Sequence, residues 1–129
     1  MKIKQGDIVY GNCVDHPYVP YHVGIVYDDG KNKFIYHNTP DLLNKYGGNV
    51  VATSYDKFME GRVLKQIRRS NVSNEEILKV ARKCATEQYD SMFFNCEDFI
   101  LEITDGKRRS DVRYAYKIVF LTAVILFLL

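Results

Sequence analysis

Tyr21-His-Val-Gly-Ile-Val-Tyr-Asp-Asp-Gly-Lys-Asn-Lys-Phe-Ile-Tyr-His37 is the stretch that decides the fold. Two runs rich in β-branched and aromatic residues, Tyr21–Tyr27 and Phe34–His37, flank a polar segment that reads as a hairpin turn. Asp-Gly is a favoured pair for a two-residue type I′ turn. With Asp29-Gly30 as that turn, Asp28 opposes Lys31 and His22 opposes His37. Opposed side chains share one sheet face with Cβ atoms about 5 Å apart. The expected register therefore brings two of the chain's three histidines together. It holds if no bulge intervenes, because a one-residue slip sends one histidine to the other face.

Outward from the hairpin, residues 1–60 alternate short apolar runs with turn signals. Ile8–Tyr10 is the preceding strand; Val50–Thr53 and Val63–Ile67 are expected to follow as two more. Pro17, Pro20 and Pro40 fall between these runs or at their edges, where proline is tolerated. After residue 70 the period becomes helical. Ser73-Asn-Glu-Glu76 is a capping-box signature. Ile77, Val80, Ala81 and Cys84 then follow on one helical face. A second helix is expected to open at Asn95, a favoured N-cap type, with Glu97 and Asp98 in its first turn. Gly106 is its expected C-cap. Strands followed by helices make an α+β domain, with an N-terminal antiparallel sheet packed against C-terminal helices.

Length and composition bound the rest. A chain of 129 residues is one domain by size. At 47% apolar and 26% charged residues it is ordinary globular material, which excludes a disordered or collagen-like chain. A net charge of +2 argues against a dedicated nucleic-acid binder. Cys13, Cys84 and Cys96 form no Cys-x-x-Cys pair and no disulfide framework, so a reducing, intracellular setting is expected. The N-terminus lacks the apolar run of a signal peptide. Ile118–Leu129, in contrast, is uncharged throughout. A surface helix should show a polar face and this one has none. The reading taken is a membrane-associated segment over 114–129 appended to a domain over 1–113. A buried or partner-binding helix is the competing view.

Cys96 is the residue with chemistry to offer. In the first turn of a helix, backbone N–H groups and the helix dipole favour a thiolate. The same donors can hold the oxyanion formed when that thiolate attacks a carbonyl. Cys96, Phe99, Ile100 and Ile103 share one helical face, so the sulfur heads the stripe that packs on the sheet, where it can meet the two histidines. Cys84 reads as core within a helix. Cys13 and His16 read as loop residues. A zinc site built from His22, His37 and Cys96 lacks a fourth ligand at a recognisable spacing. No metal or other cofactor is expected, and no glycine-rich phosphate loop is present.

Gly6-Asp-Ile-Val9, His22-Val-Gly-Ile-Val26, Tyr36-His37 and Asn95-Cys-Glu-Asp-Phe99 together resemble the lecithin:retinol acyltransferase family, nearest to its H-Ras-like suppressor phospholipase/acyltransferases. Arg109-Ser-Asp-Val-Arg113 before an apolar stretch is similar too. The resemblance covers most of the chain. It implies a permuted NlpC-like, papain-like fold, with Cys96 as nucleophile, His22 as general base and His37 orienting it. Asn95 joins the backbone N–H groups that hold the oxyanion. The implied reaction is formation of an acyl-thioester from a phospholipid or other acyl ester, followed by transfer to water or an amine. The implied partner is a membrane, through the C-terminal segment. The chain departs from the family pattern at Asp98, where histidine is usual, and at Val23, where tryptophan is common. Two alternatives stay open: a cysteine peptidase or amidase of the NlpC-like class, and a non-catalytic binding module on the same fold.

Overall fold

The computed structural model describes residues 2–13, 21–40, 49–90, 94–108 and 111–129; of Cys13 and residues 111–117 it describes the backbone alone. Five strands, β1 (Ile8–Cys13), β2 (His22–Asp28), β3 (Lys33–Thr39), β4 (Asn49–Thr53) and β5 (Arg62–Arg68), form one antiparallel sheet in the order β4-β3-β2-β1-β5. Four helices are seen among the described residues: α1 (Tyr55–Met59), α2 (Asn74–Lys83), α3 (Cys96–Asp105) and α4 (Asp111–Leu128). The α+β class and all five expected strands are present. Two placements differ. Cys13 ends β1, paired with Arg62, rather than lying in a loop. The short helix α1 falls in a region read as strands, and Ser54 caps it by accepting from the Lys57 N–H.

The hairpin register also differs from the expected one. Asp28 opposes Lys33 and Val26 opposes Ile35, so the loop is Asp29–Asn32, four residues instead of two. The reason is local. Asp29 Oδ1 accepts from the backbone N–H of Lys31 and Asn32 at 2.9 and 2.7 Å, and Asp28 Oδ1 accepts from Gly30 at 2.9 Å. Aspartates that bond to the backbone two residues on stabilise such a wider turn. The shift relative to the expected pairing is two residues. An even shift preserves the side-chain face, so His22 and His37 still share a face, as diagonal neighbours rather than an opposed pair.

Both faces of the sheet are covered. On one, α2 and α3 bury Ile8, Val23 and Ile25 against Ile77, Phe94, Phe99, Ile100 and Ile103. On the other, Phe58 of α1 packs with Ile3, Val9, Val26 and Ile35. Both expected helix N-caps form. Ser73 accepts from the Glu76 N–H, and Asn95 and Asp98 cap each other's backbone at 3.0 Å in both directions. Gly106, in the left-handed region at φ 72°, closes α3. Asp98, where the resembled family usually has histidine, is thus the capping partner of Asn95. The Gly-Asp-Ile-Val stretch is structural. Gly6 turns at φ 83°, where a Cβ would stand 2.9 Å from Ser70 O, and buried Asp7 accepts from Lys4 N at 2.8 Å and pairs with Arg69.

The apolar C-terminal stretch Ile118–Leu129 does not join the core. Residues 118–129 are all exposed, Ile118 at 47% and Leu129 at 96%. Among the described residues no helix is long and apolar enough to cross a membrane. Exposed apolar area of this extent marks an interaction surface. Removal of Ile118–Leu129 is therefore expected to leave the sheet and α1–α3 folded, while flotation with phospholipid vesicles is lost. Circular dichroism and flotation of the 1–117 fragment check this. An unfolded fragment would show that the helix stabilises the core instead.

Candidate functional site

His22 is the first residue of β2 and His37 lies near the end of β3. Both are buried, at 3% and 5% exposure. His22 Nε2 lies 2.8 Å from His37 Nδ1, and His37 Nε2 lies 3.0 Å from Thr53 Oγ1 on β4. Phe58 closes the pair from above, with ring centroids 5.3 Å from His22 and 5.1 Å from His37. Among the described residues, the hydrogen-bond partners of the two imidazoles are each other and Thr53.

Burial, followed by the neighbouring imidazole and Arg62, holds His22 well below the ordinary histidine range. Burial, followed by Arg62, lowers His37 to about 4. Both rings are therefore neutral at pH 7 and each carries a single N–H. One link of the His22–His37–Thr53 chain follows from the next: the nitrogen that donates on one side of a ring leaves an acceptor on the other.

A cavity of about 620 Å³ opens beside His37 on this face, lined also by Thr39, Val51, Thr53, Lys57 and Arg62. Arg62 crosses Gly11, where a Cβ would stand 3.1 Å from the Arg62 Cδ. Its Nη1 donates to Phe58 O at 2.6 Å, and its buried Nε has no acceptor among the described residues. A buried donor left unmatched costs about 1–3 kcal/mol, more when charged.

Cys96 lies on the other face. It opens α3 at 1% exposure, within the core cluster of Val23, Ile25 and Phe99. Its sulfur donates weakly to Tyr21 O at 3.9 Å. The structure thus brings His22 and His37 together, and places Cys96 beside the residue that precedes His22 but across the sheet from both rings. Among the described residues neither imidazole makes a hydrogen bond to the Cys96 sulfur.

Asn95 is buried, and its Oδ1 is occupied as the cap of α3 by the Asp98 N–H. Cys84 ends α2 as its C-cap, rather than lying in mid-helix, and is core as expected. Burial, followed by Glu102, raises its thiol to about 11. His16, Pro17, Pro20, Gly47-Gly48 and Arg109-Ser110 lie outside the described residues. No group of three His, Cys, Asp or Glu side chains that could hold a metal is found among the described residues.

Several participants were not legible in sequence. Asn38 is fully buried on the α3 face, where its amide donates to Phe94 O at 2.9 Å and Asn95 O at 3.2 Å. It ties the strand of His37 to the entry of the Cys96 helix. An asparagine inside a strand, a poor strand former, was the one signal available. Tyr21 reaches Glu97 through its hydroxyl. Thr53, Phe58 and Arg62 join the site only through tertiary contact. No protein-family model matches this chain, and comparison with curated proteins and with solved structures finds no match.

Proposed function

We propose that this protein is a thiol-dependent acyltransferase or hydrolase of the lecithin:retinol acyltransferase type, on a permuted papain-like fold, taking acyl groups from lipid esters. The observation that supports it most is the position of Cys96. It is the first residue of a well-capped ten-residue helix, in contact with the residue before His22. A cysteine at that position has backbone donors directed at its reaction zone and a dipole that favours thiolate. In the reaction the Cys96 sulfur attacks the ester carbonyl and His22 takes its proton. The first-turn N–H groups, with the Asn95 amide, hold the oxyanion. Collapse expels the alcohol, which receives the proton from His22, and leaves an acyl-thioester. Water or an amine then attacks the thioester and restores the thiol. The exposed apolar stretch Ile118–Leu129 favours a lipid substrate, because burying each CH₂ contributes about 0.8 kcal/mol toward holding the domain on a bilayer.

The reading makes a structural demand. His22 must turn from the Phe58 face to the α3 face for its ring to reach the sulfur. The first residue of a strand can make that turn without disrupting the ladder beyond it; a mid-strand residue cannot. The separation across the sheet favours, as a second reading, a binding module on the same fold whose cysteine is inert. Incubation with a soluble p-nitrophenyl acyl ester, followed by mass analysis, separates them. An acyl adduct confined to the Cys96 peptide, lost in Cys96→Ala and retained in Cys13→Ser and Cys84→Ala, is expected. Slowing by about 100-fold or more in His22→Gln identifies the base. A wild-type protein that forms no adduct, or one that reacts at Cys13, overturns the thiol reading. Peptide reporters cleaved faster than esters would indicate a peptidase or amidase.

A further inference from the structure

We propose that the cavity beside His37 is an oxyanion-binding site, in which Arg62 holds a phosphate or carboxylate group of a ligand next to the Thr53 hydroxyl. It lies on the sheet face away from Cys96 and does not rest on the thiol chemistry. Arg62 is a fixed cation. Its stem lies over Gly11, its Nη1 is anchored on Phe58 O, and its carbon fork stands 5.7 Å from the Phe58 ring centroid. Among the described residues no carboxylate pairs with it: Glu60, the acidic residue lining the cavity, bridges to Lys57 at 3.2 Å. Lys57 and Glu60 offset each other, so among the described residues no carboxylate compensates the charge of Arg62 at the cavity wall. Guanidinium groups bind phosphate and carboxylate more strongly than neutral donors do.

The histidine chain supplies the second donor. With an anion in the cavity, the Thr53 O–H points to it. Thr53 Oγ1 then accepts from His37 Nε2–H, and His37 Nδ1 accepts from His22 Nε2–H, over the observed 3.0 and 2.8 Å. Every link then has one donor and one acceptor, and both rings stay neutral. The cavity volume of about 620 Å³ lies within the usual range for organic-ligand pockets, roughly 300–1,000 Å³. That leaves room for an organic ligand of which the oxyanion is one end.

The test is a titration of the full chain, kept soluble in uncharged maltoside micelles, with inorganic phosphate and with acetate at constant ionic strength. The His37 imidazole resonance is followed by NMR. A saturable shift with either anion is expected, phosphate alone identifying a phosphoryl ligand and acetate alone a carboxylate. Arg62→Gln should weaken binding by about tenfold or more. Thr53→Val should weaken it severalfold and serves as the deciding variant if Arg62→Gln does not fold. Cys96→Ala should bind as the wild type does, so failure of the thiol chemistry leaves this result standing. No saturable shift with either anion, or wild-type affinity in both Arg62→Gln and Thr53→Val, overturns the proposal.

Discussion

Acidification from about pH 7.5 to about pH 5 is expected to cost the domain about 2 kcal/mol through His37 alone. In the folded protein, burial and then Arg62 hold this ring at about 4, against an ordinary value of 6.5. The unfolded chain therefore binds a proton at a pH where the native ring does not. Stability is full above about pH 6.5 and falls as the pH drops from there toward about 4. His22, lowered well below 6.5 chiefly by burial and then by His37, adds to the loss in the same direction. Urea unfolding at three pH values within that window measures the slope, with an unchanged m-value confirming the same transition. His37→Gln should flatten a large part of it. A wild-type stability that stays level between pH 7 and pH 5 would show that the two rings are not buried and neutral.

Gly24→Ala is expected to destabilise the fold by about 3 kcal/mol, the upper part of the range for overpacking. Gly24 sits between His22 and Val26 on the Phe58 face of β2. A Cβ there would stand 2.4 Å from Ile35 Cγ2 and 2.9 Å from Phe58 Cε2. Neither neighbour has room to withdraw, since Ile35 and Phe58 are both fully buried. Phe58 would lift, and with it the ring that covers both imidazoles. The unfolding midpoint and the His22 and His37 imidazole resonances should therefore move together. Gly30→Ala is the contrast. Gly30 is exposed at φ 88° with nothing near its missing Cβ, so only the backbone conformation resists, at about 1–2 kcal/mol. Equal effects of the two substitutions would show that α1 does not rest on Gly24.

The elements that were legible in sequence are those whose signals are local. Ser73 and Asn95 announced their helices because an N-cap side chain bonds within three residues of itself. The five strands showed through their apolar runs, and Gly106 marked the end of α3 because a left-handed C-cap favours a residue without a Cβ. The shared face of His22 and His37 followed from the period of two, and it survived a turn two residues longer than expected because an even shift keeps parity. The width of that turn depended on which N–H groups the Asp28 and Asp29 carboxylates would find. The helix α1 was too short to carry a period of its own.

Tertiary structure alone decided what surrounds the histidines and where the cysteine stands relative to them. Alternation along β2 puts His22 and Val23 on opposite faces, but no pattern within the strand says which face α3 will cover. Burial of Val23 and Ile25 against Phe99 and Ile100 settled that choice, and the same packing carried Cys96 to the face opposite the imidazoles. Phe58, Thr53 and Arg62 come from separate elements and meet the histidine pair only in the tertiary fold: β4 pairs with β3, α1 covers that face, and Arg62, at the start of the edge strand β5, passes over Gly11 toward Phe58. Capping bonds and strand alternation act over a few residues and can be read along the chain. The site depends on apolar surfaces distant in sequence finding one another, and a hydrophobic contact carries no direction that the residues themselves record.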